Sequence, residues 1–249
     1  MRNFLLRCRP GLEVQLEVPA GATKAILLAH SFRNSFHEPA LFQAVPPFSR
    51  AGYATLALNF LGHGDSGGEL KEVSYRTVSE NVSYALQYLR GNGFQRVGVY
   101  AISLGTVATV LSSERPNAQV FLSSTPLYDP QSLLKRYQQH IDSEKLEKDG
   151  FAVLVSGSGR GSFKMGREWI EEMRREDGQI LRAHLERRVP TLIIQGTNDE
   201  LTDINTARAF IAKTGDDYLE IPEANHNFTM QKQRDEMIKA ALNWFNSKL

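Results

Sequence analysis

Five short apolar runs limit what this chain can fold into. They are KAILLA at 24–29, Tyr53 to Leu58, Arg96 to Tyr100, Gln119 to Leu122 and Thr191 to Ile194. Each is nearly continuous in apolar character, and several are flanked by Gly, Pro or Asn. A strand with no polar side must be covered on both faces, which is the situation of a parallel sheet packed between helices. Between the runs the spacing changes to that of helices. Residues 74–90 place Val78, Val82, Ala85, Leu86 and Leu89 on one stripe. The C-terminal stretch does the same with Met237, Ala240, Ala241, Trp244 and Phe245. Such stripes are core faces. The alternation predicts an α/β chain, with a mostly parallel, doubly wound sheet flanked by crossover helices. Phe4 to Cys8 and Leu12 to Val18 read as two earlier strands joined at Pro10-Gly11.

Length and charge narrow the function. The 249 residues suit one α/β domain, a class that runs to roughly 200–250 residues. Lys and Arg number 29 against 28 Asp and Glu, a net charge of +1, so nothing in the charge favours nucleic acid. The single cysteine, Cys8, allows no internal disulfide and no Cys-rich zinc site. The N-terminal segment lacks the apolar core and cleavage site of a signal peptide, and no stretch has the length of a membrane span. A soluble, cytoplasmic protein is the expectation.

About seventy residues between Leu122 and Thr191 break the rhythm. They hold a charged stretch, QQHIDSEKLEKDG, then FAVLVSGSGRGSFKMG, then the helical REWIEEMRRE. The middle piece reads as a hairpin turning at Gly157 to Gly161. The expectation is a single domain, 1–249, with a cap inserted over approximately 125–188. Residues 123–190 carry twelve Lys/Arg against eleven Asp/Glu, so the insertion has no charge bias that would select an ionic substrate.

The chemistry concentrates around Ser103. In GVYAISLGT a strand runs into the serine and a helix of small and apolar residues leaves it. A serine on such a turn projects its hydroxyl out of the sheet, and the residues two before and two after it must be small. Ala101 and Gly105 are. The alternative is that Ser103 merely caps the helix. Its reading as a nucleophile rests on partners, because a serine hydroxyl needs a histidine base and the histidine an orienting acid. Asp199 lies in the turn after the TLIIQG strand, and His226 in the loop after YLEIPEA. Both positions lie just past strand C-termini, where open α/β sheets place their sites. Asp203, the nearest rival acid, sits at a helix start and reads as a cap.

These segments together resemble the α/β-hydrolase superfamily: LLAHSF at 27–32, NFLGHGDSGG at 59–68, AISLG at 101–105, QGTNDE at 195–200 and EANHNF at 223–228. The chain departs from the usual pattern at Ala101 and Ser31, where glycine is usual, and at Leu61, where arginine is usual. The glycine-rich loop and the insertion's size, hairpin and position are most similar to bacterial cinnamoyl/feruloyl esterases and serine-aminopeptidase-like hydrolases. The resemblance implies an α/β-hydrolase fold and a small-molecule ester substrate, with no cofactor and no metal. It implies an oxyanion hole from the backbone N–H groups of Leu104 and Phe32. It also implies structural roles for His30 and His63. Ser31 either stiffens its loop or brings its hydroxyl to the site. His37, His140 and His184 match no motif and read as solvent or helix residues. Tyr128, Tyr137, Phe151, Phe163 and Trp169 either line an aromatic acyl pocket or pack on the sheet. Lipase, thioesterase and peptidase-like activities stay open, as does a small-molecule receptor or scaffold that keeps the triad. Oligomeric state has no signature in the sequence.

Overall fold

The structure, a computed structural model, describes residues 2–6 as backbone and residues 11–155 and 161–249 in full. Cys8 and all of the expected hairpin turn except Gly161 fall outside the described residues. The strands are β1 (Arg2–Leu6), β2 (Leu12–Glu17), β3 (Lys24–Ala29), β4 (Tyr53–Leu58), β5 (Arg96–Ile102) and β6 (Ala118–Leu122). They continue with β7 (Phe151–Val155), β8 (Ser162–Gly166), β9 (Thr191–Gly196) and β10 (Asp217–Ile221). Eight of them form one sheet in the order β1-β2-β4-β3-β5-β6-β9-β10. β2 runs antiparallel to both β1 and β4, and every pair from β4 across to β10 is parallel. The hairpin expected inside the insertion is β7–β8, a separate two-stranded ribbon.

The helices are α1 (Pro39–Phe42), α2 (Val45–Arg50), α3 (Tyr75–Gly91), α4 (Leu104–Leu111), α5 (Thr125–Tyr128) and α6 (Ser132–Tyr137). Then come α7 (Ser143–Asp149), α8 (Arg167–Arg175), α9 (Gln179–Arg187), α10 (Ile204–Thr214) and α11 (Gln231–Lys248). Side chains alternate across the sheet. Leu27 of β3 and Val99 of β5 join Val82 and Leu86 of α3 and Val107 of α4 in one core. Leu28 and Tyr100 join Phe48 of α2 and Met237, Ala241 and Phe245 of α11 in the other. The continuous apolar runs are therefore buried on both faces, as their composition requires. α3 begins where Ser74 accepts the Thr77 N–H, with the Thr77 hydroxyl accepting the Ser74 N–H in return. This cap satisfies end groups the helix cannot. α9 lies against α4 and contributes to the sheet's flanking layer. β8 lies against the turn at 70–72, and a Cβ on Gly166 would fall 1.8 Å from the Lys71 carbonyl oxygen.

One close backbone contact and a pair of buried histidines fix the centre of the sheet. α4 leaves β5 so close to β3 that a Cβ on Gly105 would stand 2.4 Å from the Ala29 carbonyl oxygen. The loops after β3 and β4 are then joined by two buried histidines. Nδ1 of His30 donates to the Ser31 carbonyl at 2.6 Å, and its Nε2 accepts the Phe60 N–H at 3.0 Å. Nδ1 of His63 donates to the Leu61 carbonyl at 2.9 Å, and its Nε2 accepts the Arg33 N–H at 3.0 Å. Each ring has one donor and one acceptor role, which is the neutral form. Burial, with the neighbouring His63 ring, pushes the His30 pKa down to about 3; burial lowers His63 as well. Among the described residues no helix is long and apolar enough to cross a membrane.

Gly105→Ala is expected to cost ~1–3 kcal/mol of stability through overpacking. Gly91→Ala, where a Cβ meets nothing within 4 Å, is expected to be neutral or stabilising by ~0.5 kcal/mol. Urea unfolding of the pair checks the contrast. A second expectation follows from His30. Below pH ~6.5 the unfolded chain takes up a proton at this residue that the folded chain refuses, so stability falls with pH by ~1.4 kcal/mol per unit. The loss runs down towards pH 3, where the folded ring itself titrates. Unfolding midpoints of His30→Asn between pH 7 and pH 4 should fall less steeply than those of the parent; equal slopes would refute the assignment.

Candidate active site

The cavity at the C-terminal edge of the sheet is built around the turn that ends β5. Ser103 holds φ 52°, ψ −111°, outside the regions L-residues favour. Such a conformation costs on the order of 1–3 kcal/mol and persists only when its surroundings enforce it. Here the Ser103 N–H donates to the Leu122 carbonyl at 3.0 Å, and the Ser103 carbonyl accepts both the N–H and the hydroxyl of Thr106. The side chain caps nothing, although the residue stands at the helix N-cap position. Its hydroxyl has no hydrogen-bond partner among the described residues and faces the cavity. The Ala101 methyl is fully buried against the α3–α4 core, so the departure from glycine is accommodated.

Asp199 and His226 meet. His226 Nδ1 lies 2.9 Å from one Asp199 oxygen and 3.1 Å from the other. The same carboxylate accepts the N–H groups of Leu201 and Thr202 on Oδ1 and the Gln195 amide on Oδ2. Burial alone would push Asp199 up. The His226 bond and charge, with Leu201 and Gln195, outweigh it and hold the carboxyl below its usual range. Asp199 therefore stays ionised and presents itself to Nδ1, leaving Nε2 as the histidine's open nitrogen. Ser103 and His226 line the same cavity without a hydrogen bond between them. Asp203 caps α10 by accepting the Asn205 N–H, as its position predicts.

Some residues that support this arrangement had no sequence signal. Gln195 lies near the polar end of an apolar strand, and the Tyr128 hydroxyl donates to its side-chain Oε1 at 3.2 Å, which turns the amide nitrogen towards Asp199. The Glu200 carboxylate accepts the His226 N–H at 3.0 Å. Arg234, buried in α11, donates to the carbonyls of Phe228 and Thr229 and so holds the end of the His226 loop.

Phe32 and Leu104 line the same cavity, and the backbone N–H of neither has an acceptor among the described residues. Most other N–H groups of the loop after β3 are taken. The N–H groups of Ser31, Arg33, Ser35 and Phe36 are taken by Glu38, His63, Asn34 and Asn59. The Ser31 hydroxyl donates to Glu38 at 2.7 Å, which uses it inside the loop.

The cavity encloses about 380 Å3. Of the five aromatics singled out from the insertion, Tyr137, Phe163 and Trp169 line it. Phe32 packs edge-on against Trp169 and Phe163 at 4.8 and 5.6 Å, and the Arg33 guanidinium lies 4.5 Å from the Phe163 ring centre. The other two pack elsewhere. Tyr128 packs at a tilt against Phe210, and Phe151 lies under Lys164 and Lys71. Among the described residues no three His, Cys, Asp or Glu side chains gather closely enough to hold a metal ion.

Known proteins share this architecture. Residues 26–240 match the profile of the Alpha/beta hydrolase family. A carboxylesterase of Bacillus subtilis is 25% identical over 235 residues, covering 86% of this chain and 89% of that protein. Est1E from Butyrivibrio proteoclasticus, solved with ferulic acid bound, superposes with a TM-score of 0.82 at 16% identity over 98% of both chains. Mouse alpha/beta hydrolase domain-containing protein 10 gives 0.72 at 17% identity over 99% of both chains. The sheet order, the strained serine after the fifth strand and the profile match over most of the sequence agree: the chain belongs to the alpha/beta hydrolase family.

Proposed function

We propose that the protein is a serine carboxylic-ester hydrolase in which Ser103 is the nucleophile, His226 the base and Asp199 the orienting acid. The observation that carries this reading is one cavity containing an unbonded serine hydroxyl, a histidine whose Nδ1 is held by a buried carboxylate, and two unpartnered backbone N–H groups. Ser103 Oγ attacks the acyl carbon while its proton passes to Nε2 of His226. Asp199 stabilises the imidazolium that results. The N–H groups of Phe32 and Leu104 receive the carbonyl oxygen as it becomes negative, where charge stabilisation is worth most. The tetrahedral adduct collapses, the C–O bond to the alcohol breaks, and His226 returns the proton to the leaving oxygen. Water then attacks the acyl-enzyme, giving its proton to His226. Release of the acid restores the Ser103 hydroxyl.

The inserted segment, approximately 125–188, acts as a cap within a single domain. Tyr137, Phe163 and Trp169 bring aromatic surface to the cavity wall. That lining, with the ferulic acid held by Est1E, favours esters of aryl acids over esters of short alkanoic acids. The bacterial carboxylesterase relative supports the reaction type.

Turnover of p-nitrophenyl esters tests the triad. Ser103→Ala and His226→Ala should each lose at least ~10³-fold in kcat, and Asp199→Asn about 10⁴-fold, because the amide holds the wrong tautomer of the histidine. Turnover like the parent's in the Ser103 or His226 variant would refute the assignment. For the cap, methyl ferulate should be hydrolysed with at least about tenfold higher kcat/KM than methyl butyrate, the size of effect expected from one added apolar contact surface. Trp169→Ala should shrink that ratio. Equal rates on the two esters would remove the aryl preference.

A further inference from the structure

Glu38 is a buried carboxylate that the reaction described above does not use. It sits at the N-cap position of α1, yet its side chain does not cap that helix. It turns back instead into the loop after β3 and is only 2% exposed. Its Oε2 accepts the Ser31 N–H at 3.0 Å and its Oε1 the Ser31 hydroxyl at 2.7 Å. Burying a carboxyl is costly unless its oxygens are bonded, and this one bonds at two points to a single residue. Asn34 adds a weaker contact, its Nδ2 donating to the Ser31 hydroxyl at 3.4 Å.

Ser31 matters because of the peptide bond that follows it. The Ser31 carbonyl and the Phe32 N–H belong to one planar trans unit, so they point in opposite directions. The carbonyl is held by Nδ1 of His30 at 2.6 Å. The other end of Ser31, both N–H and hydroxyl, is held by Glu38. Fixing the residue at these points fixes the peptide plane. The direction of the N–H of Phe32, a residue of the cavity wall, is set with it. Ser31 is then one half of a device whose other half is seven residues downstream.

We infer that Glu38 is a positioning residue, acting through the Ser31 backbone and hydroxyl to aim the Phe32 N–H at the oxyanion formed on Ser103. The inference rests on the esterase reading and adds a residue to it. Positioning of this kind acts on the transition state and leaves substrate binding almost untouched. It depends on hydrogen-bond geometry, so glutamine, whose amide oxygen still accepts the Ser31 N–H and whose nitrogen donates to the hydroxyl oxygen, preserves it. Alanine does not.

The test uses Glu38→Ala, Glu38→Gln and Ser31→Ala, each assayed for kcat and KM on p-nitrophenyl acetate, for inhibition by phenylboronic acid, and for Tm. The boronic acid forms a tetrahedral anion on the nucleophile and so reads the oxyanion donors directly. Glu38→Ala should lower kcat by roughly tenfold to a hundredfold and weaken boronate inhibition by a similar factor, with KM within about twofold. Glu38→Gln should recover kcat to within about threefold, and Ser31→Ala, which loses one of the two bonds, should fall about fivefold. Parent-like kcat and boronate affinity in Glu38→Ala overturn the inference, as does a glutamine variant as impaired as the alanine one. If Glu38→Ala does not fold, Ser31→Ala decides: unchanged kcat and unchanged boronate affinity in that variant also overturn it. Failure of the esterase reading looks different, as absent turnover and absent boronate binding in the parent, and would remove this inference with it.

Discussion

The close approach of backbone to backbone at the C-terminal edge of the sheet is the constraint on which the site depends. Ser103 can hold φ 52° only because the chain around it has nowhere else to go. Its N–H is bonded to Leu122 of the next strand, and Gly105 presses α4 onto the Ala29 carbonyl. The same device recurs two strands further across the sheet, at the end of β9, where a Cβ at Gly196 would stand 2.3 Å from the Ala224 carbonyl oxygen. These contacts leave no room for side chains, so strand ends and loops are held at fixed separations. Ser103, Asp199 and His226 are carried to one edge by three different strands, and backbone contacts within a few residues of each set their relation to one another.

Polar groups behind the cavity are fixed by a complementary rule. A buried charge or dipole is tolerated where its bonds are complete. Asp199 keeps its charge because four donors surround it. His30 and His63 are held neutral by burial, each with both nitrogens occupied by backbone. Burial pushes the Glu38 carboxyl up, and the bonds from Ser31 draw it back. The Ser103 hydroxyl and the N–H groups of Phe32 and Leu104 have no partner among the described residues, and nor do the buried hydroxyls of Ser123 and Ser124 and the Trp169 indole N–H. In the proposed reaction, the Ser103 hydroxyl and the N–H groups of Phe32 and Leu104 meet the developing charge without first giving up a protein partner.

Much of this was legible in the sequence, for specific reasons. The apolar runs located the parallel strands to within a residue or two, because burial on both faces leaves no alternative composition. β5 extends through Ala101 and Ile102, apolar residues that the sequence pattern assigns to the turn, and β9 extends to Gly196, where pairing with β10 continues past the apolar run. Asp203 was legible as a cap because capping is local. Partners distant in sequence were not legible. Glu38 lies in HEPALF with no periodicity to mark it, and Arg234 reads as one more charge on an amphipathic helix, although it bonds Gln43, 191 positions away. His184 belongs to a helix, as expected, but it is buried against Asp216 at 2.7 Å rather than facing solvent. The aromatic residues of the insertion could not be sorted by sequence, since a ring packed on Phe210 and a ring lining a cavity satisfy the same composition.

The central claim is that Ser103 alone among the hydroxyl side chains is made nucleophilic by its surroundings. Stoichiometric treatment with a fluorophosphonate, followed by intact-mass measurement and peptide mapping, addresses it directly. The account predicts one equivalent of label, located on Ser103, with labelling slowed by orders of magnitude in His226→Ala. Absence of label, or label distributed over other serines at the same rate, would contradict it.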